Sequence, residues 1–191
     1  ITSNALNSIM NKMIKKVCVF CGSSMPLNSK LIKQETINIA DILFEKNIDL
    51  IYGGAKIGIM GIISNRMMEK GGKVTGIIPK VLVKKEVINN NITKLIVVNS
   101  MHERKKMMYD LADAFIILPG GIGTLEELSE IITWKVLGIK NKIIIIFNLN
   151  GFYNSLIEQF KIMQDNNFLY SNIFKEVSII NSVSDLGDLL D

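Results

Sequence analysis

The chain has 191 residues, of which 48% are hydrophobic and 21% charged; this balance suits a folded chain with a sizeable core and excludes disorder over most of its length. Its net charge of +4 comes from 22 basic and 18 acidic residues that are scattered and seldom lie beside aromatics, so the footprint of nucleic-acid binding is missing, while a mildly basic surface suits small anions. The longest aliphatic run, Ile143 to Ile146 extended by Phe147, is far too short to cross a bilayer and nothing resembles a signal peptide, so a cytoplasmic protein is expected.

Residues 1 to 12, "ITSNALNSIMNK", carry neither helix nor strand periodicity and read as a flexible extension or a cloning remnant, leaving 13 to 191 as one domain. "VCVFC" is then the first strand. Its Cys18 and Cys21 form a C-x-x-C, but residues three apart on a strand point to opposite faces and no second pair completes a metal site, so two buried reduced thiols are expected. A helical pattern follows over 28 to 46, then "IDLIYG", a helix over 58 to 70, "KVTGIIP", "KLIVV", a helix over 101 to 112, "AFIILPG", a helix over 124 to 138, "KIIIIFN" and a helix over 151 to 165. No element is assigned beyond 165. The stretch 80 to 94 is the least regular, a loop or short helix over an active site, and its basic pair at 84 and 85 reads as a solvated face.

Strand and helix in alternation, with strands that are apolar almost throughout, predict an α/β fold with a mainly parallel central sheet and helices on both faces. Ligands in such sheets bind beyond the carboxyl ends of the strands. Candidate loops are therefore Gly22 to Asn28, Gly53 to Gly61, the stretch from Pro79 onward, Asn99 to Lys105, and Pro119 to Glu127.

Two familiar glycine signatures fail. Gly53 and Gly58 have the spacing of a nucleotide triphosphate loop, but Ile59 stands where its lysine belongs, and Gly121 and Gly123 are followed by Glu126 where a dinucleotide fingerprint needs its third glycine. What remains is strand, glycine turn and helix start, which offers unpaired backbone N–H groups and the helix dipole to one phosphate monoester. In "LPGGIGTLEE", Gly120, Gly121 and Gly123 permit close approach of a ligand, and Thr124 is the expected N-cap. Thr124-x-x-Glu127 is also a formal capping box, so the local pattern leaves Glu127 either a cap or a chemical group; Glu126 is the more exposed helix-end charge. Ser100 is expected to cap a second helix, at whose start His102, Glu103, Arg104 and Lys105 cluster. The lone histidine makes no metal site.

The motifs "CGSS" at 21 to 24, "YGGAKIGIMG" at 52 to 61, "MHERK" at 101 to 105 and "PGGIGTLEE" at 119 to 127, in this order and with "ITWKVLGI" and "NGFYNSL" downstream, resemble the LOG ("lonely guy") family of cytokinin-activating phosphoribohydrolases from about Val17 to Tyr153. The resemblance implies a Rossmann-like fold and hydrolysis of the N-glycosidic bond of nucleoside 5′-monophosphates, either cytokinin riboside monophosphates, AMP or both, to free base and ribose 5-phosphate. It implies no metal or organic cofactor, a homodimer or higher homo-oligomer, and no nucleic-acid or membrane partner. The label "lysine decarboxylase" carried by relatives finds no support, since no lysine stands in a recognisable pyridoxal-phosphate context.

Matched by motif, Arg104 and Glu127 are the expected catalytic pair. Gly120, Gly121, Gly123 and Thr124 match the phosphate loop; Gly22, Ser23, Ser24, Gly54, Met60, Glu86, Lys105, Glu126 and Thr133 are expected to bind substrate. Ala55 stands where the family has a third glycine. The alternative reading, a non-catalytic nucleotide or molybdenum-cofactor carrier of the same fold, has no need of Arg104 and Glu127 together.

Overall fold

The computed structural model describes residues 13–27, 29–83, 88–139 and 141–190. Seven parallel strands make one sheet: β1 (Lys16–Phe20), β2 (Asp49–Tyr52), β3 (Val74–Pro79), β4 (Lys94–Val98), β5 (Ala114–Ile117), β6 (Ile143–Phe147) and β7 (Ser178–Ile180), in the order β4-β3-β2-β1-β5-β6-β7. Between them run α1 (Lys30–Glu45), α2 (Gly58–Lys70), the single turn α3 (Lys80–Val83), α4 (Met101–Leu111), α5 (Ile122–Val136), α6 (Asn154–Asp165) and α7 (Ile173–Glu176), and α8 (Ser184–Leu189) closes the fold.

The strands alternate between two apolar layers, as side chains of period two must. Val17, Val19, Leu50, Tyr52, Ala114, Ile116, Ile145 and Phe147 face one core with Ile39 and Leu43 of α1, Ile63 and Met67 of α2, and Leu186 of α8. Cys18, Phe20, Ile51, Phe115, Ile117, Ile144 and Ile146 face the other with Met108 and Tyr109 of α4, Leu128 and Ile131 of α5, and Phe160 of α6. The expected α/β architecture, Rossmann-like with helices on both faces, is therefore present. The two cysteines are free and buried, one in each layer.

Three elements, α7, β7 and α8, lie beyond residue 165, where no periodicity announced them. They have four, three and six residues, too short for a period to register. Among the described residues, no helix is long and apolar enough to cross a membrane. Residues 1–12 and the basic pair at 84 and 85 lie outside the described residues.

The chain lays down β1 to β4 in one direction and then crosses over to add β5, β6 and β7 on the other side of β1. Strand order thus reverses between β1 and β5, and the loops that leave their carboxyl ends diverge there to opposite faces, opening a crevice. Gly22 N–H donates to Pro119 O at 3.0 Å and ties the two loops together.

Candidate active site

Helix α5 begins at Ile122 with Gly121 as N-cap, two residues before the cap expected at Thr124. Gly121 has no side chain to cap with. The helical ladder starts with Leu125 N–H to Gly121 O at 3.2 Å, so the N–H groups of Ile122, Gly123 and Thr124 stand outside it, at the positive end of the dipole. Thr124 lies inside the first turn, buried against Gly120: a methyl group on Gly120 would sit 2.7 Å from Thr124 Cβ and 3.0 Å from Gly22 N. The expected capping box is thereby corrected, because Glu127 is the sixth helical residue and too far from the helix start to close one. By contrast, nothing lies within 4 Å of a methyl group placed on Gly121 or Gly123.

Helix α4 starts as expected. Ser100 caps it, its hydroxyl accepting from Glu103 N–H at 3.1 Å, and the Glu103 carboxylate accepts from Asn99 N–H at 2.8 Å. This fixes Arg104 in the first turn, pointing inward and only 4% exposed. Its guanidinium reaches Gly53 O at 3.5 Å, while its Nε has no hydrogen-bond partner. A buried cation with an unsatisfied donor is costly unless an anion or acceptor arrives.

Arg104 and Glu127, itself 7% exposed, line one cavity of about 260 Å3 with Cys21, Gly22, Ser23, Met60, Leu82, Met101, Gly121, Gly123, Thr124 and Glu126. Most expected site residues therefore meet in one place at the strand-order switch. Burial, with the Glu127 carboxylate beside it, pushes the Cys21 thiol well above its ordinary range, so this wall is a neutral thiol.

Other residues stand elsewhere. Ser24 lines an adjoining cavity of about 290 Å3 with Met25, Pro26, Pro119, Gly120 and Phe152; Gly22, Ser23 and Gly121 border both. Gly54, at φ +89°, accepts from Asn89 N–H at 2.9 Å and packs against Leu95 and Ile78; it supports the site from behind. The α2 amides of Ile59 and Met60 are taken by Gly22 O at 3.1 and 3.3 Å, so the loop before α2 braces the "CGSS" turn instead of offering a second phosphate cradle. Thr133 is exposed, bonds Ser129 O at 2.7 Å, and lines a third cavity with Leu137, Phe168 and Tyr170. His102 lines a fourth, between α4 and α5. Glu86 lies outside the described residues. Lys105 is paired with Glu126 at 2.5 Å and Glu130 at 3.2 Å, and the hydrogen bond with Glu126 raises its pKa.

Sequence reasoning put Gly53 in a candidate loop but gave it no role: its missing side chain makes room for Arg104, since a methyl group there would meet the guanidinium and come within 3.0 Å of Met60 Cε. Leu82 of α3 and Met101, within candidate stretches but not singled out, stand in the wall, and Tyr153 was given no role although its buried hydroxyl donates to Leu118 O at 2.7 Å and pins the end of β5 before the glycine loop. A tyrosine after an Asn-Gly turn was the available signal. Among the described residues, no three His, Cys, Asp or Glu side chains stand together as a metal would need.

A family model described as "Possible lysine decarboxylase" matches residues 60–190. The cytokinin riboside 5′-monophosphate phosphoribohydrolase LOG2 of Arabidopsis thaliana is 42% identical over 177 residues, covering 93% of this chain and 83% of its own. LOG1 of the same plant is 47% identical over 143 residues, covering 75% and 67%. Among solved structures, the molybdenum cofactor binding protein of Rippkaea orientalis superposes with a TM-score of 0.67 at 19% identity, covering 92% of this chain and 94% of the other. The molybdenum cofactor carrier protein of Chlamydomonas reinhardtii does so at 0.67 and 15%, covering 92% and 95%. These two likenesses are of fold.

Proposed function

Because the chain belongs to the family of cytokinin riboside 5′-monophosphate phosphoribohydrolases, we propose that it hydrolyses the N-glycosidic bond of nucleoside 5′-monophosphates, giving free base and ribose 5-phosphate. The observation that carries this reading is the single cavity in which buried Arg104, with its unpartnered Nε, and buried Glu127 share walls with the open glycines at the start of α5. A carrier needs the glycines alone.

The 5′-phosphate binds the N–H groups at the start of α5, and that remote binding energy holds the sugar in place. Heterolysis of the C1′–N bond sends its electron pair to the base and leaves positive charge on the ribose, as in other glycosidic cleavages. Glu127 stabilises this charge and takes a proton from the water whose oxygen bonds to C1′. The proton then passes to the departing base or to solvent, which returns Glu127 to its carboxylate. Arg104, permanently charged and able to form two parallel hydrogen bonds, orients the ribose phosphate.

The reading includes a homodimer or higher homo-oligomer, supported by exposed Ile122, Leu137, Ile139, Phe168 and Tyr170, and a cytoplasmic location, supported by two free buried thiols. Light scattering after gel filtration tests the first, and cell fractionation the second. The activity itself is tested by incubating the protein with AMP and with isopentenyladenosine 5′-monophosphate and measuring base and ribose 5-phosphate. Release from either, in equal amounts, is the expected result, and their ratio assigns the preferred base. A folded protein that binds both and cleaves neither is a carrier.

A further inference from the structure

Met101 opens α4, and Arg104 follows three residues later on the same face of the helix. The Met101 sulfur accepts from Arg104 Nη1 at 3.9 Å, a weak bond because a thioether is a poor acceptor. Among the described residues, the guanidinium's other bond is the long one to Gly53 O at 3.5 Å, and its Nε has no partner. The buried cation is thus left ready for a stronger acceptor. Its sulfur neighbour is open to solvent: Met101 is 39% exposed while lining the cavity that holds Arg104 and Glu127. Other sulfur atoms nearby lack this combination. Met60, in the same wall, is 8% exposed, and Met25, exposed to the same 39%, lines the adjoining cavity, which Arg104 does not border. Cys21 is 1% exposed and burial keeps its thiol neutral, hence a poor nucleophile.

We propose that Met101 is a site of reversible oxidation by peroxide, and that its sulfoxide lowers the affinity of the cavity for phosphorylated ligands by engaging Arg104. The inference rests on the phosphoribohydrolase reading above, in which Arg104 orients the ribose phosphate. The sulfur lone pair attacks one oxygen of hydrogen peroxide; the S–O bond forms as the O–O bond breaks, and the departing hydroxide takes the proton left on the transferred oxygen and leaves as water. Sulfur loses two electrons and the peroxide gains them. The new oxygen is borne by a sulfur that already contacts Nη1, so it enters hydrogen-bond range of the guanidinium, and it is a strong acceptor where the thioether was a weak one. An incoming phosphate must then displace that bond. The loss falls on binding more than on bond cleavage, because the phosphate is present in ground and transition states alike. Reduction of the sulfoxide releases Arg104 and restores the site.

The test treats the full chain with hydrogen peroxide, maps the oxygen gained by each methionine and cysteine peptide by mass spectrometry, and follows the fold by circular dichroism. KM and kcat are measured before and after treatment for whichever of AMP and isopentenyladenosine 5′-monophosphate the wild type cleaves, with ribose 5-phosphate as competitive inhibitor. Met101 is expected to gain one oxygen in the folded protein, with a rise of about tenfold or more in KM and in the inhibition constant of ribose 5-phosphate and a smaller change in kcat, the equivalent of one hydrogen bond to a charged group. Methionine sulfoxide reductases of both epimer classes with dithiothreitol should restore the constants, and dithiothreitol alone should not. Met101→Leu and Met25→Leu are each compared with their own untreated constants: peroxide should leave those of Met101→Leu in place and shift those of Met25→Leu as it does the wild type's. Wild-type constants that stay put although Met101 carries the oxygen overturn the inference, as does a Met101→Leu protein that loses as much as the wild type, or recovery with dithiothreitol alone, which assigns the loss to a cysteine. So does a Met101 that gains oxygen only as the protein unfolds. Should Met101→Leu fail to fold, reductase treatment decides alone: recovery in step with the loss of oxygen from Met101 supports the inference, and its absence overturns it. An untreated wild type that cleaves neither nucleotide defeats the underlying reading, and this inference with it, which is distinguishable from an active wild type that oxidation at Met101 leaves unchanged.

Discussion

Gly123→Ala separates a phosphate site from a structural glycine turn, because the two readings predict opposite movements of stability and activity. Gly123 is the second residue of α5, its φ is not in the left-handed range, and nothing lies within 4 Å of the position a methyl group would take. Replacing a helical glycine by alanine then stabilises by about 0.5 kcal/mol near a helix end, where the full interior effect is not reached. For a chain of this size that raises Tm by roughly 1–2 °C. The open space belongs to the wall of the cavity of about 260 Å3, so the same methyl group stands where a phosphate oxygen must come within about 3 Å of the backbone N–H. Losing one charge-assisted hydrogen bond costs about 1.5–3 kcal/mol, equivalent to roughly a 10- to 100-fold rise in KM for the nucleotide. Calorimetry and base-release kinetics on one preparation read both quantities. Gly120→Ala is the control: its methyl group would lie 2.7 Å from Thr124 Cβ, and overpacking of that kind destabilises by about 1–3 kcal/mol. A Gly123→Ala protein with raised Tm and unchanged KM would refute the placement of phosphate at this helix start, and one with lowered Tm would refute the open space.

Four further outcomes are expected. Glu127→Gln, nearly isosteric in its buried position, should lower kcat by about 10²- to 10⁴-fold with little change in ligand affinity; a drop smaller than threefold removes Glu127 from the chemistry. Arg104→Lys keeps the charge but not the planar fork, and kcat/KM should fall by roughly tenfold or more; parity with wild type would show that a point charge suffices. Tyr153→Phe leaves Leu118 O without its 2.7 Å donor and should destabilise by about 1 kcal/mol, or roughly 3 °C in Tm, which differential scanning calorimetry would detect or deny. Burial raises the pKa of both Cys18 and Cys21. The unfolded chain therefore loses thiol protons that the native chain keeps, and stability should fall as pH rises above the ordinary thiol value, by up to about 1.4 kcal/mol per pH unit for each thiol. Urea titrations at pH 8 and pH 10 measure it, and equal midpoints would contradict it.

Strand positions were legible because the strands are apolar along almost their whole length, even at the partly exposed sheet edge: "KLIVV" is β4 residue for residue, and "IDLIYG" overshoots the buried β2 by one at each end. The start of α5 was not, for a specific reason. Sequence preference makes Thr124 the best cap in "GGIGTLEE", but Thr124 is drawn into the helix by its packing on Gly120, leaving a residue with no side chain as cap. The role of Gly53, though the residue opened a candidate loop, was illegible for another reason, since it is to be empty where Arg104, fifty-one residues later, comes to rest. Lys105 was legible as a residue at the right place and illegible in its direction, because two acids on α5 compete with any ligand for its ammonium.

In the proposed reading the order reversal between β1 and β5 and the glycine loop serve to hold the phosphate, and the same fold occurs at 15–19% identity in proteins named for binding or carrying molybdenum cofactor. Hydrolysis needs something the backbone cannot supply: a carboxylate placed where cationic charge develops at the sugar. Successive residues of α5 illustrate how little sequence separates the two tasks. Glu126 turns to Lys105 at the rim, and Glu127, about 100° further round the helix, turns into the cavity beside Arg104. If that division is correct, removing the Glu127 charge should yield a protein that still binds nucleoside monophosphate at the α5 start and no longer cleaves it. The substitution would turn the enzyme into a binder by one atom of its side chain, with the fold, the glycines and the Lys105 bridge untouched.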